Sequence, residues 1–533
     1  MLKTQVKKWL KENKIEGKIE HPANERFGDF AVRSGRKIEI GNEDLIEKIE
    51  NVSGFTNIFL SQKSLIKEAE KIINGKLLEE LMMEGKGKKM VIDYSSPNIA
   101  KAFGIGHLRS TNIGQAIYNI YKILGWECIG ENHLGDWGTQ FGKLIVSIKK
   151  WGPSTMSEIK KLKIEDLEAL YVRFHKEAEN NEELINEGRK WFSKLENGDK
   201  EARDIWQKCV EISLNEFNKV YGMLGVKIDY SHGESFYEDK MEEIIKILKE
   251  KNLIKNSQGA KIIEFKNMPP AMVEKSNGTS TYFTRDLAAI KYRIDTWNPD
   301  LIIYEIGADQ NLHMRQLFET TKMLGYSTKF VHISHGLIRW KEGKFSTRKG
   351  ETIHLSEVIS KAMQEAKKLA PNNSSEQIKA VAIGAIKFND LAQDPKKDII
   401  FDWERVMSME GNSGPYLQYT YARCMSVIAN KKPSFASLQT GKQEKNNWNK
   451  DEMALLRYFY QFEEKIIEAA ERFSPAIIAE YLLILSRKYN EFYAKNRIIG
   501  ESEEKQRLFL TITTADILKK GLFLLGIETL EKM

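Results

Sequence analysis

The chain is poor in cysteine. Three residues, Cys128, Cys209 and Cys424, are spread over 533 positions, too far apart for a zinc-ligand spacing or a redox pair and too few to staple a chain of this length. That pattern points to a reducing compartment. Apolar runs are short as well: none approaches the roughly 20 residues that span a bilayer. The opening stretch, Met1 to Lys14, carries several lysines but no apolar centre, and acidic residues follow soon. This argues against secretory and organellar leaders, so a cytoplasmic location with no membrane partner is expected. Internal repeats and low-complexity segments are missing. Charge of one sign is scarce too. Lys and Arg number 82 against 75 Asp and Glu, a formal net charge of +7, which permits an acidic partner such as RNA without requiring one.

What is present is the balance of an ordinary soluble globular protein, 41% hydrophobic and 29% charged. At roughly 150 residues per domain the length implies about three to four domains. Residues 1–85 mix short helical and strand-like pieces, including the apolar stretch Phe55–Leu60, and end at the Gly/Lys-rich link Glu84–Lys89, which reads as a domain boundary. From Met90 the pattern becomes strand, loop, helix. Met90–Tyr94 is short and β-prone, and Pro97 biases its predecessor away from helix. After Gly104–His107, apolar residues at 113, 116, 117, 120, 121 and 124 form a helical stripe closed by Gly125.

The same grammar recurs near residue 300. Leu301–Ile306 is a continuous apolar strand, Gly307–Gln310 a turn, and Met314, Leu317, Phe318, Thr321 and Leu324 a helical stripe, followed by the β-prone run Lys329–Ile338. Buried strands alternating with helices imply a parallel, doubly wound sheet, with ligands beyond the carboxyl ends of its strands. Between these units, about residues 150–275 read as charged amphipathic helices inserted into the sheet domain. Beyond about 410 the strand signal fades. Ser474-Pro475 reads as the N-cap and first-turn proline of a helix whose buried face is Ile478, Tyr481, Leu482, Leu485, Tyr489 and Phe492. The fold class expected is multidomain α/β: a small α/β N-terminal unit (1–85), a Rossmann-type parallel-sheet domain with helical insertions (86–410) and an all-α C-terminal bundle (411–533).

Two motifs carry chemistry. In Gly104–His107, read Gly-Ile-Gly-His, Gly104 and Gly106 let a backbone approach a phosphate, the following helix offers unpaired N–H groups, and His107 can donate to a phosphate oxygen. A glycine pair at a βα turn also serves tight packing. The turn is not a Walker loop, and the ribose-reading fingerprint of dinucleotide folds is absent. In Gly343–Gly350, the cations Lys344, Arg348 and Lys349, with hydroxyls at Ser346 and Thr347, make a loop able to close over a polyanion. An exposed basic turn is the alternative on local grounds.

Together these motifs make the chain resemble the class I aminoacyl-tRNA synthetases, with Gly104–His107 matching the HIGH signature and Lys344–Arg348 the KMSKS signature. It is similar to the arginyl-tRNA synthetase family in particular, through Ser95–Lys101, His107–Thr111, His133–Gly142, Asn277–Ala288, Ser413–Arg423 and Gly521–Ile527, with weaker matches at Phe27–Phe30 and Gly54–Leu60. The order and spacing of these stretches extend the resemblance over nearly the whole length. Gly104 replaces the first histidine of HIGH and Thr347 the second lysine of KMSKS. Lys101 is the candidate to restore the missing charge on the phosphates, its alternative being a solvated loop lysine.

The resemblance implies ligation of L-arginine to tRNA(Arg) with ATP as substrate and Mg²⁺ sharing the phosphate charge, by a monomer. It implies that Lys101, His107, Lys344, Ser346, Arg348 and Lys349 act on the phosphates, with Gly104 and Gly106. Backbone groups around Gly307 and at His335, Gly336, Leu337 and Ile338 are the candidates for ribose and adenine. The arginine-binding role falls on Asp93, Asn98, Tyr282, Asp286 and Gln310. Asp286 follows Tyr282 by four residues, so on a helix they share a face. Read without the family, Asp286 beside Arg285 is a surface pair, Asp93 a turn cap and Gln310 a helix-entry residue. For RNA the candidates are Asn57 with Phe55 and Phe59 at the tRNA elbow, for which a small β-core is the alternative. In the C-terminal bundle they are Tyr416, Gln418, Tyr419 and Arg423, whose alternative is core packing. Other readings are a tRNA-binding paralogue without catalysis and another class I synthetase.

Overall fold

The computed structural model describes residues 2–34, 44–340, 354–431 and 448–533. The basic loop with Lys344, Ser346, Arg348 and Lys349 lies outside the described residues. The chain opens with α1 (Leu2–Glu12), which buries Leu2, Val6, Trp9 and Leu10 along one stripe. Four antiparallel strands follow, β1 (Ile19–Glu20), β2 (Phe30–Arg33), β3 (Ile46–Val52) and β4 (Phe55–Leu60), in the order β1-β2-β4-β3. The β3–β4 hairpin turns through Ser53 and Gly54, at φ 51° and 83°, the left-handed pair that a two-residue turn between twisted strands demands. Two helices, α2 (Gln62–Ile73) and α3 (Lys76–Met82), close this unit.

The sheet domain runs from β5 (Lys89–Asp93) through α4 (Ile105–Ile123), β6 (Glu127–Asn132), α5 (Thr139–Trp151), α6 (Met156–Ile159), α7 (Ile164–Ala178), α8 (Glu182–Glu196) and α9 (Lys200–Leu224). It continues with β7 (Tyr230–Ser231), α10 (Met241–Glu250), β8 (Lys255–Ser257), β9 (Ala260–Ile263), β10 (Ala271–Glu274), α11 (Tyr282–Trp297), β11 (Leu301–Gly307), α12 (Asn311–Leu324) and β12 (Lys329–His335). Five strands form a wholly parallel sheet in the order β12-β11-β5-β6-β7. The chain winds outward from β5 through β6 to β7, then returns to β11 on the other side of β5. The reversal between β5 and β11 opens a crevice at their carboxyl ends, where doubly wound sheets bind ligands. Gly114 lets α4 lie directly on the strand exit: a Cβ there would sit 2.4 Å from the Tyr94 ring.

Two local expectations are corrected. The run 329–338 is not one strand. It breaks after His335, and β13 (Ile338–Trp340) pairs in parallel with β14 (Ile399–Phe401), which follows α13 (Leu355–Leu369) and α14 (Ser375–Leu391). The chain leaves the main sheet because Gly336 N–H donates to the Pro395 carbonyl and Leu337 N–H to Asp398 Oδ1. Second, segment 150–275 is not helical throughout: after Leu224 only α10 and a 3-10 turn at Glu234–Lys240 are helical. Tyr230–Ser231 is the edge strand of the main sheet itself, and β8–β10 form an antiparallel sheet. These strands are only two to four residues long, too short for apolar alternation to mark them. Pro97 does keep its predecessor out of the right-handed helical region, Ser96 being left-handed at φ 44°.

After α15 (Trp403–Val406) come α16 (Gly414–Ala429), α17 (Lys450–Phe459), α18 (Gln461–Glu471), α19 (Ala476–Lys495) and α20 (Glu504–Leu524), helices throughout. The face expected for α19 is buried at all six positions. Pro475, not Ser474, stands at its N-cap, with no side-chain capping bond. One apolar core joins the N-terminal unit, α4 and the C-terminal helices. Among the described residues no helix is long and apolar enough to cross a membrane.

Candidate active site

The crevice at the reversal point is a cavity of about 660 Å³. Its lining includes Asp93 and Asn98 after β5, Gly106 and His107 at the start of α4, Tyr282 and Asp286 on α11, Gly307 and Gln310 after β11, and His335 at the end of β12. Two stretches whose paired strands are 211 residues apart in sequence thus meet because those strands are neighbours, Tyr304 standing in register with Asp93.

The loop leaving β5 is held in an unusual conformation. Ser95, Ser96 and Ala100 have φ of 77°, 44° and 61°, left-handed values that cost a non-glycine residue of order 1 kcal/mol or more each. Each is pinned by a side chain from another element. Ser110 Oγ accepts from Ser95 N–H at 2.9 Å, Asn132 Oδ1 from Ser96 N–H at 3.0 Å, and Ser213 Oγ from Ala100 N–H at 2.9 Å. Ser110 in turn donates to the Glu305 carbonyl at 2.7 Å, tying β5, α4 and β11 at the mouth of the cavity. Arg109, fully buried, donates to Asp390 Oδ1 (3.0 Å) and to the carbonyls of Gly336 (2.9 Å) and Lys397 (2.8 Å). Of the run His107–Thr111, therefore, the residues after His107 are scaffold.

Gly106 is right-handed helix, and a Cβ added there would meet no protein atom within 4 Å. Packing within the chain does not require glycine at this position, and the space it leaves belongs to the cavity. Burial and the nearby Lys101 charge push the His107 imidazole down to about 4, so it is neutral at pH 7. Its Nδ1 is buried without a partner.

The acidic groups divide by what neutralises them. Arg293, fully buried, donates to Asp93 Oδ2 at 2.8 Å and through Nε to Glu131 Oε2. Burial opposes the charge on Glu131, but Arg293, with His232 and Tyr237, overrides it and holds the carboxyl down at about 2. Arg285 does not pair with its neighbour Asp286. It is spent on Glu238, at 2.6 and 2.8 Å, and reaches Glu234 at 3.3 Å. Burial, reinforced by Asp286 and Asp136, raises the Glu234 carboxyl to about 7 against the opposing pull of Arg285. Within ion-pair distance Asp286 meets only histidines among the described residues, His313 Nε2 at 2.6 Å and His133 Nε2 at 3.6 Å. Burial resists its charge, yet the bond from His313, these imidazoles and the more distant Arg285 outweigh it, and the Asp286 pKa is lowered.

Tyr282 and Asp286 do occupy one face of α11, at its first turn; the tyrosine is 62% exposed and its ring lies 4.9 Å from His313. Gln310 ends the turn after β11 and bonds Asp309. Several expected positions fall elsewhere. Lys101 lines a neighbouring cavity of about 240 Å³ that shares Asn98 and Gly135 with the main one, its ammonium 5.5 Å from the Tyr171 ring. Gly104 is buried behind the cavity as the N-cap of α4, bridged to His354. Gly336, Leu337 and Ile338 do not line the cavity, and the N–H groups of the first two are already bonded within the chain, so only Gly307 and His335 of that set face it. His133, Glu234 and His313 line the cavity and were not singled out. His133 opens a quoted run, but nothing local marks Glu234 or His313.

On the RNA side, Gln418 is wholly buried and donates through Nε2 to the carbonyls of Ala380 (3.1 Å) and Glu528 (2.8 Å), which corrects its assignment to RNA. Tyr416 is half-buried, its hydroxyl accepting from Asn490 at 2.9 Å. Tyr419 and Arg423 are accessible one turn apart, the guanidinium 4.9 Å from the Tyr419 ring and 5.0 Å from that of Tyr493. Asn57 is buried on β4 but lines a surface cavity of about 770 Å³ with His21, Phe27 and Phe55.

Residues 70–403 match the family model of the class I (R) tRNA synthetase catalytic domain, and residues 417–533 the DALR anticodon binding domain. The arginine–tRNA ligase of Halothermothrix orenii is 39% identical, over 98% of this chain and 97% of its own length. Those of Clostridioides difficile and Streptococcus uberis are 40% and 41% identical at the same coverage. The chain belongs to the arginyl-tRNA synthetase family. The solved arginyl-tRNA synthetase of Plasmodium falciparum superposes with a TM-score of 0.81 at 25% identity, covering all of this chain and 98% of that one. The Thermus thermophilus structure, 22% identical, has the same TM-score over 98% of each chain, a likeness of fold. Family membership accounts for the multidomain α/β architecture, a parallel-sheet domain followed by helices.

Proposed function

We propose that the chain is an arginine–tRNA ligase that activates L-arginine with ATP and transfers it to tRNA(Arg). The observation that carries the reading is Asp286, a carboxylate lowered in pKa with no Arg or Lys within ion-pair distance among the described residues, in the cavity that also holds the Gly106–His107 turn. A guanidinium is permanently charged and fork-shaped, and it is buried without penalty only against carboxylate. Asp93 and Glu131 already have Arg293, and Glu238 has Arg285. Asp286 is left for the incoming cation, with Glu234 beside it as a second acceptor and Tyr282 on the same face. Asn98 and Gln310 are placed for the ammonium and carboxylate ends. Lysine lacks the fork, and a neutral analogue leaves a buried carboxylate unpaired, so no editing site is needed.

In the first step the arginine carboxylate attacks the α-phosphorus of ATP. A new carboxyl O–P bond forms, the bridging O–P bond breaks, and pyrophosphate leaves with the electron pair. The nucleophile is already ionised, so alignment and stabilisation of phosphate charge are what the site must supply. Neutral His107 donates an N–H, the α4 N-terminus presents backbone N–H groups across the open space at Gly106, and Gly307 and His335 flank the nucleoside. The loop with Lys344, Ser346, Arg348 and Lys349 supplies cations. Lys101 stands close enough to His107 to affect its charge and acts from the adjoining cavity. In the second step the 2′-hydroxyl of the terminal adenosine attacks the anhydride carbonyl and AMP leaves.

The cavity contains no ready-made carboxylate cage for Mg²⁺ among the described residues. Among the described residues the one three-carboxylate grouping, Glu68, Glu80 and Glu463, lies elsewhere, with Lys71 bridging Glu68 and Glu80. An Mg²⁺ accompanying ATP would be held largely by phosphate oxygens and water, sharing the charge of the phosphates.

The division of labour we propose is residues 1–85 for the tRNA elbow, with Asn57, 86–410 for chemistry, and 411–533 for the anticodon arm, with Tyr416, Tyr419 and Arg423, in a cytoplasmic monomer. Labelled arginine with unfractionated tRNA and ATP tests the reading. Arginyl-tRNA should accumulate, and ATP–pyrophosphate exchange should respond to arginine alone among the amino acids. A chain that binds tRNA but never charges it, or that activates another amino acid, refutes it.

A further inference from the structure

The N-terminal helix carries a line of cations that the ligase reading leaves unused. Lys3, Lys7, Lys11, Lys14 and Lys18 line one surface cavity of about 630 Å³, with Glu16 its single acidic residue. The first four are spaced 4, 4 and 3 in sequence, so they form one stripe along α1 and its C-terminal turn. The helix buries Leu2, Val6 and Trp9 away from the stripe, and Leu10 beside it. Lys3 is bonded to Glu464 of α18 at 2.8 Å and Lys18 to Glu20 at 2.5 Å. No carboxylate lies within 4.0 Å of the ammonium groups of Lys7, Lys11 or Lys14 among the described residues, whereas Lys8, off the stripe, pairs with Glu12 at 3.8 Å. Three exposed like charges thus stand in a row without internal neutralisation.

A second observation concerns Lys14. It has φ 55°, the left-handed position just past a helix end where the chain closes through Ile15 N–H to the Leu10 carbonyl at 2.8 Å. Glycine suits that position, and a lysine there is strained. The strained residue is the one whose side chain extends the cationic line beyond the end of the helix. Backbone strain kept at a residue with no internal partner is a pointer to use rather than to stability.

We infer that this stripe is a track for the sugar–phosphate backbone of the tRNA, adjoining the cavity lined by Asn57 through the shared Gly17 and Lys18 and distinct from the Tyr419–Arg423 pair. Lys3 to Lys11 spans about 12 Å at 1.5 Å per residue, a length facing several phosphates of one strand. Lysine ammonium groups on a solvated helix read charge and not sequence, so the track adds affinity and orientation without discriminating among tRNAs. Lys3–Glu464 and His21–Glu464 join this region to the C-terminal helices, so the track is rigidly related to the anticodon-side surface.

The inference rests on the tRNA-ligase reading, and the test separates the two. Direct tRNA binding by the full chain is measured from 50 to 300 mM salt for the parent, for the triple variant Lys7→Gln/Lys11→Gln/Lys14→Gln, and for the control Lys8→Gln. Each lost phosphate contact lowers the slope of log K against log[salt] by about 0.7 to 0.9, so the triple variant should lose about 2 to 3 in slope, with KM for tRNA raised tenfold or more and kcat changed far less. Lys8→Gln should match the parent. Lys14→Gly removes strain as well as charge, so it should bind tRNA more weakly without a lower melting temperature, an outcome that mere structural damage does not produce. A parent chain that never charges tRNA refutes the ligase reading. A parent that charges it, with a triple variant of unchanged slope, refutes the track, as does a stripe whose loss affects only binding to anionic vesicles.

Discussion

Replacing Asp286 by asparagine preserves shape and keeps an acceptor for the His313 bond, while removing a cavity charge that has no arginine or lysine within ion-pair distance among the described residues. The side chain is 23% exposed, so a guanidinium docked on it is largely out of water. Losing one partner of such a pair costs about 3 kcal/mol or more. At 1.36 kcal/mol per decade that is over about 100-fold in kcat/KM for arginine. The KM for ATP should move by less than threefold, because the carboxylate and the Gly106–His107 turn touch different ends of the reaction. The assay is arginine-dependent pyrophosphate exchange in the presence of tRNA, with urea unfolding as the control for integrity. Asp286→Asn should unfold near the parent midpoint. A kcat/KM for arginine within threefold of the parent would refute the assignment of the guanidinium to Asp286.

Three further outcomes follow from the same geometry. Glu234, raised to about 7, is largely protonated at pH 6, and an arriving guanidinium favours its ionised form. Arginine affinity measured by calorimetry should therefore tighten up to about tenfold from pH 6 to pH 8 with proton release, and Glu234→Gln should flatten the profile. In the ligand-free chain the sign is opposite: a raised carboxyl pKa holds its proton more tightly folded than unfolded, so Glu234 subtracts stability as pH rises from about 4.5 to about 7. Gln418→Leu strips donors from two buried carbonyls and should lower the urea midpoint by the equivalent of about 2 kcal/mol with tRNA KM within twofold; a stable variant with impaired tRNA binding would return Gln418 to the RNA surface. Arg423→Ala and Tyr419→Ala should each raise tRNA KM about tenfold, the scale of one stacked base, and leave pyrophosphate exchange at saturating tRNA within threefold; no change in KM would assign the pair to surface packing.

Much of the fold was legible locally, because periodicity reports which side of an element is dry. Leu301–Ile306 needed no partner to read as a buried strand, and the six apolar positions of α19 declared their face through spacing alone. The glycine turn and its histidine were visible for the same reason: a Gly-rich stretch between strand and helix has few physical uses. Strands of two to four residues carry no such signal, and β7 and β8–β10 are set by pairing with neighbours rather than by alternation.

Charge assignment was the part that composition and spacing could not supply. Asp93, Asp286, Glu234 and Glu131 are four carboxylates of one chemistry, and nothing adjacent in sequence says that Arg293, 200 residues from Asp93, neutralises one pair while Arg285 turns from Asp286 towards Glu238. Gln418 and Arg423 sit five residues apart on one helix, yet one is sealed under the carbonyls of Ala380 and Glu528 and the other lies across two tyrosine rings. Helical phase is set by local chemistry, whereas the neighbour met by each face is set by how distant elements pack. The identity of that neighbour decides whether a polar group is structural or free to meet a substrate.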